Sequence, residues 1–214
     1  YEIMPSLVGS EMCIRDRELP DGSVLLSCRN VYGGRRFNVF TYTNAKEATG
    51  SWGKEVMPKN MTAKEVNACN GGILIVPAKR NIDDKQLFVA LQSVPLSAKR
   101  DSVGFYYKEI ARYADYSTAA ALGKNWKKGL RVTDESSCYS TMVNMSNHRI
   151  GFLYEVRGQN DGYDIEFVSL SLNDITNGEY TILPHVDRTQ FLKDAALARK
   201  GKTQPRNKSN IRKK

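Results

Sequence analysis

The chain has 214 residues, 41% hydrophobic and 26% charged, the proportions of a folded globular protein of one or two domains and not of a disordered one. Its longest apolar stretch, Ile73 to Val76, is far too short to span a bilayer; four cysteines exclude a disulfide-stapled miniprotein, and two histidines without a Cys-x-x-Cys argue against structural zinc. The net charge of +9 is concentrated at one end, with ten basic against two acidic residues from Asp187 onward and only about +2 between Glu18 and Val186, so it reads as a solvated tail and not as a nucleic-acid surface.

Residues 1–17, YEIMPSLVGSEMCIRDR, lack the basic start, apolar centre and small-residue cleavage site of a signal peptide. They show no sustained period of 2 or 3.6. The string resembles the translated adapter read-through found at the ends of assembled transcript fragments. It is expected to be an irregular, non-native scar. The missing initial Met fits a truncated N-terminus.

From Leu19 to Tyr180 the pattern is one of short β-rich runs. They are Ser23–Arg29, Arg36–Thr43, Gly72–Ala78, Gln86–Val94, Ser102–Glu109, Tyr139–Met145, Arg149–Val156 and Tyr163–Leu172. Gly, Pro, Asp-Gly and Asn-Gly signals separate them, as in an antiparallel meander. Asp21-Gly22 and Asn160-Asp161-Gly162 have hairpin chemistry. The loop Tyr113–Lys124 has room for a short helical turn. Asp187–Lys200 predicts a helix with Asp187 as N-cap, Phe191, Ala195 and Ala198 on one face, and Gly201 as the stop. The segment after it, GKTQPRNKSNIRKK, is expected to be disordered.

The fold class is therefore all-β, either a sandwich or a propeller. Three cycles open at Leu19, near Cys69 and near Cys138, and two of them carry a Trp, Trp52 and Trp126. A period of about 50 to 70 residues favours propeller blades. Three blades do not close a ring, so open edges and a tendency to aggregate are expected.

Few residues stand out chemically. Tyr139 starts a strand, and Glu155 follows it sixteen residues later in the next one, a spacing that a hairpin sets side by side or one row off. Arg29 ends one strand and Arg100 ends a Pro-containing turn. Each alone would be an ordinary core or surface residue. Cys28 and Cys138 directly precede Arg29 and Tyr139. They are expected to face the opposite way as buried thiols, with a disulfide as the lesser alternative, and Cys69 is similar.

The strings ELPDGSVLLSCRN, ACNGGILIVPAKR, LQSVPLSAKRDSVGFYYKEI and CYSTMVNMSNHRIGFLYE, in that order, resemble the carboxy-terminal half of a bacterial exo-α-sialidase of the Bacteroides type. The resemblance covers residues 18 to about 183. It implies part of a six-bladed β-propeller, about three blades, with a short C-terminal helix and a basic tail. It also implies retaining hydrolysis of terminal sialic acids by a tyrosine nucleophile, with an arginine triad on the substrate carboxylate. Tyr139 matches the nucleophile, Arg29 and Arg100 the second and third arginines, and Glu155 the glutamate that holds the first arginine. Arginine forks suit a carboxylate because they bind it bidentately and stay charged. A neutral phenol suits an anionic substrate that would repel a carboxylate nucleophile.

The resemblance implies no cofactor and no metal, sialylated glycans as partners, and a periplasmic or extracellular location. It departs from the family where the tyrosine's base is due, because Cys13 stands there. The family's Asp acid/base and first arginine lie in earlier blades. The 214-residue chain is therefore expected to be inactive alone. Two other readings share these residues: a non-catalytic sialoglycan-binding module and a trans-sialidase.

Overall fold

A computed structural model describes residues 14–29, 34–58, 61, 69–97, 99–158 and 162–202. Three antiparallel sheets follow one another along the chain. The first is a four-stranded meander of β1 (Ile14–Glu18), β2 (Val24–Arg29), β3 (Arg35–Asn44) and β4 (Thr49–Trp52). The second contains β5 (Ile73–Arg80), β6 (Gln86–Pro95), β7 (Val103–Ile110) and β8 (Lys127–Arg131). The third is β9 (Ser140–Asn144), β10 (Ile150–Arg157) and β11 (Tyr163–Leu170). The chain then returns, and β12 (Tyr180–Ile182) pairs with β5 at the edge of the second sheet. The protein is thus all-β, with its sheets stacked as successive blades of a propeller.

The stacking explains the sequence pattern of the middle sheet. Along β6, Leu87, Val89 and Leu91 face the third sheet, where Phe105 and Phe152 meet at 4.6 Å. Phe88, Ala90 and Val94 face the first sheet, alongside Leu25, Phe37 and Val39. A strand covered on both sides loses its polar alternation, and nine of the ten β6 residues are buried. The third sheet has one covered face. Phe152, Tyr154 and Val156 are buried, whereas Val143, Leu153, Tyr163, Ile165 and Phe167 are exposed.

All eight predicted strands are present, and four more join them: β1, β4, β8 and β12. The first departs from the expected irregular start at residues 14–17, the part of it that is described. Ile14–Glu18 pairs in register with Cys28–Val24 across the predicted Asp21-Gly22 turn. Gly22 sits at φ +85°, a conformation glycine adopts without strain. Residues 1–13, including Cys13, lie outside the described residues, as do Asn160, Asp161 and the tail beyond 202.

The predicted helical turn resolves into a 3-10 turn at Tyr113–Asp115 and α1 (Ala119–Leu122). Thr118 caps α1 by accepting from the Ala121 N–H at 3.1 Å. The short helix α2 (Leu172–Ile175) precedes β12. The C-terminal helix α3 runs Thr189–Lys202, so Gly201 does not stop it. Asp187 does hold its start, accepting from the Thr189 N–H at 2.9 Å. Phe191 and Ala195 are buried, and Phe191 meets Phe88 at 5.5 Å. Ala198 stays exposed, although its neighbour Arg199 pairs with the buried Asp21 at 2.7 Å. Of the two Trp residues, Trp126 is core, donating Nε1–H to Leu122 O at 2.8 Å, and Trp52 is exposed.

Two predictions concern the core. A Cβ on Gly71 would lie 1.8 Å from Ser93 O. Gly71→Ala should therefore cost about 1–3 kcal/mol or more in urea unfolding; an unchanged midpoint would show that this crossing is loose.

The second concerns alkali. Burial pushes the phenols of Tyr107 and Tyr154 up to about 12, and those of Tyr116 and Tyr180 higher still. Groups that hold their protons more tightly when folded stabilise the protein below the unfolded pKa, about 10, and that stability is lost as pH rises through the folded values. The fold should weaken above about pH 10. Phenolate absorbance from these residues should then appear together with loss of structure. Full ionisation with the fold intact would contradict this.

Candidate active site

Four separated residues converge where the sheets meet. Tyr139 lies one residue before β9, and its neighbour Ser140 pairs with Tyr154. This register sets Tyr139 opposite Glu155. The Glu155 N–H donates to Tyr139 O at 2.9 Å. The Tyr139 N–H donates to the Glu155 carboxylate at 3.1 Å. Glu155 therefore fixes the backbone that carries the phenol. Arg29, at the end of β2, reaches across from the first sheet, and its Nη1 donates to the Tyr139 hydroxyl at 3.2 Å. Arg29 is 6% exposed, whereas Tyr139 is 37% exposed. An accessible phenol is held by a buried cation.

Arg100 arrives from the β6–β7 turn. Its carbonyl accepts from the Ser137 N–H at 2.9 Å and the Ser136 hydroxyl at 3.2 Å, which docks this turn on the segment leading to Tyr139. Its guanidinium donates to Cys138 Sγ at 3.3 Å. The predicted quartet is thus brought together, but unevenly. Arg29 touches the tyrosine itself, and Arg100 touches the thiol beside it.

The cysteines were expected to be buried thiols. Cys28, Cys69 and Cys138 are indeed free and buried. Cys69 and Cys138 have their sulfurs 3.6 Å apart, however, a contact across 69 residues that no spacing motif signals. The hydrogen bond between them and the nearby Arg100 guanidinium pull the Cys138 thiol down to about 7. The same hydrogen bond and burial push Cys69 up. The Cys138 sulfur, above all, in turn raises Arg100.

Behind these residues runs a buried polar seam. Arg35, 1% exposed, donates from Nη1 to Cys69 O at 3.1 Å and from Nη2 to Ser27 O at 2.9 Å. The Ser27 hydroxyl donates to Gln92 Oε1 at 2.7 Å, and Gln92 Nε2 donates to Gly72 O at 2.9 Å. Ser93 and Ser140 share a hydroxyl hydrogen bond of 2.9 Å. The seam ties all three sheets together and fixes where β2 delivers Arg29 and where Ser140 delivers Tyr139. Buried polar groups persist only when paired, so each link constrains the next.

A cavity of about 270 Å³ opens beside Tyr139. Arg15, Thr141, Leu153, Glu155 and Ile165 line it with the tyrosine. The sequence pointed to Tyr139 and Glu155 but not to the others. Arg15 was set aside with the irregular start, and the apolar pair belongs to the uncovered face of the third sheet. A larger cavity of about 640 Å³ lies elsewhere, and several of its charged groups are paired within it. There Lys127 pairs with Glu179 at 2.7 Å, and the Tyr180 hydroxyl donates to Glu109 at 2.7 Å. Among the described residues, no group of three His, Cys, Asp or Glu could hold a metal ion, and no helix is long and apolar enough to cross a membrane.

Chemically, the site offers an accessible phenol held by one arginine, a second arginine on an acidic thiol, and a carboxylate holding the backbone between them. No protein-family model matches the chain, and no curated protein matches it. Solved structures do. One is an intramolecular trans-sialidase from Ruminococcus gnavus in complex with oseltamivir carboxylate, with TM-score 0.53 and 15% identity over 78% of this chain and 34% of the other. A second is a point mutant of the NanB sialidase from Streptococcus pneumoniae, with TM-score 0.54 and 19% identity over 78% of this chain and 24% of the other. The chain spans about a third or less of these proteins' lengths. At such identities the likeness establishes the fold, which is that of bacterial sialidase propellers.

Proposed function

We propose that the chain carries part of the active site of a retaining exo-α-sialidase acting on terminal sialic acids of glycoconjugates. The observation that carries the reading is the Arg29–Tyr139–Glu155 cluster, because it joins the residues that the sequence resemblance singles out. In this reading the Tyr139 oxygen attacks the anomeric carbon. Arg29 and Arg100 hold the carboxylate attached to that carbon. Arg29, already on the phenol oxygen, offsets charge that develops there during attack. Glu155 positions Tyr139 through its N–H. A phenol that attacks needs a base to take its proton, and a leaving group needs an acid. The chain offers no match for either among the residues that carry the resemblance. The resemblance to the Bacteroides type and the correspondence to the carboxy-terminal half belong to the same proposal, as does a location in the periplasm or outside the cell.

The test has two parts. Free N-acetylneuraminic acid should bind the purified chain, seen as saturation-transfer NMR signals that disappear in Arg29→Ala. A fluorogenic sialoside should not be hydrolysed by it. Turnover by the chain alone would overturn the division of labour. Loss of both binding and turnover in a folded chain would overturn the sialic acid reading.

A trans-sialidase would share every one of these residues and would be separated by product analysis of the whole protein. A glycan-binding module without catalysis would bind as predicted but would tolerate Tyr139→Phe in every assay.

A further inference from the structure

We infer that Cys69 and Cys138 form a peroxide-sensitive dithiol that closes to a disulfide beneath Tyr139. The sulfurs are already 3.6 Å apart. Closing to a bond of about 2.05 Å requires an approach of only about 1.5 Å. Both residues lie outside the strands, Cys69 before β5 and Cys138 before β9, so the approach need not break a ladder. The Arg100 guanidinium at 3.3 Å from Cys138 Sγ marks that sulfur as the one that ionises and reacts. Cys28 provides an internal contrast, since burial raises its thiol and keeps it protonated.

The chemistry balances with hydrogen peroxide as the oxidant. The Cys138 thiolate attacks one peroxide oxygen, the O–O bond breaks, and hydroxide leaves, giving Cys138 sulfenic acid. The Cys69 thiol then attacks that sulfur. An S–S bond forms, the S–O bond breaks, and the sulfenic oxygen leaves as water with the Cys69 proton. The net change is two thiols and one peroxide to one disulfide and two waters.

Closure removes the thiolate that faces Arg100. The guanidinium then has its full charge for an anionic ligand. This last step rests on the carboxylate-binding reading of Arg100, whereas disulfide formation does not.

The experiment treats the reduced, folded wild-type chain with hydrogen peroxide, then unfolds it and titrates thiols. Of four cysteines, two should be lost in a monomer whose mass falls by two hydrogen atoms, and peptide mapping should find Cys69 linked to Cys138. Four remaining thiols, a stable oxygen adduct on Cys138, or a link to another cysteine would each overturn the proposal. In Cys69→Ala the sulfenic acid should persist and be trapped by a 1,3-diketone. If that variant does not fold, the wild-type peptide map decides alone. N-acetylneuraminic acid should bind the oxidised chain several-fold more tightly than the reduced one. If the disulfide forms and affinity is unchanged while Arg100→Ala lowers it, the coupling is wrong. If the disulfide forms and neither state binds, the carboxylate reading fails and the dithiol stands.

Discussion

Replacing Arg29 by alanine should weaken N-acetylneuraminic acid binding by about 10- to 100-fold, the loss of one charge-assisted contact worth about 1.5–3 kcal/mol. The expectation follows from position. Arg29 is the one arginine whose guanidinium touches the Tyr139 hydroxyl among the described residues, so a carboxylate held by it would sit against the phenol oxygen. It is also buried, with an orientation set by the β2 register. Arg29→Lys retains the charge without the planar fork, so its affinity should fall between wild type and alanine. Calorimetric titration of all three forms, with melting curves to show that each is folded, checks this. Equal affinity in wild type and the alanine variant would mean that the carboxylate is held elsewhere.

The second large effect is on stability. Arg35→Ala should cost about 3–5 kcal/mol, from the cavity and from the acceptors left behind. Those acceptors are Ser27 O, Ser27 Oγ and Cys69 O. Arg35→Met should cost clearly less, because it fills most of the space and removes the desolvation penalty of a buried cation. Urea unfolding of the two variants separates packing from polar satisfaction. An alanine variant as stable as wild type would show that the seam does not hold the sheets. Because Arg35 anchors the Cys69 carbonyl, the same substitution should loosen the Cys69–Cys138 contact.

The sequence revealed the strands that bury apolar side chains and missed those held by pairing alone. β1 reads IRDRE and β8 reads KKGLR, which no hydrophobic period would mark as strand. They exist because an apolar neighbour, β2 or β7, offers an open edge. β4 and β12 are short, at four and three residues, and gain their order from β3 and β5. Gly201 was expected to end α3 on local propensity, but the helix continues past it. In the site, Tyr139 and Glu155 were legible because a hairpin converts a spacing of sixteen into adjacency. Arg29 and Arg100 were legible only through resemblance. The Cys69–Cys138 contact, the Arg35 seam and the cavity-lining Leu153 and Ile165 were not legible. Each depends on which sheet lies against which, and no local pattern encodes that.

The return of β12 to β5 has a consequence for how the molecule comes apart. The third sheet lies in sequence between two strands that are hydrogen-bonded to each other, with Thr181 Oγ1 donating to Asn81 Oδ1 at 2.9 Å across 100 residues. It cannot leave as a free terminal unit. Peeling it away either opens a loop still closed at both ends or breaks the β12–β5 clasp as well. Residues 73–182 should then behave as one cooperative block in native-state hydrogen exchange. Their slowest amides should share a single opening free energy, and β1 and β4, the two outer strands of the first sheet, should exchange ahead of them.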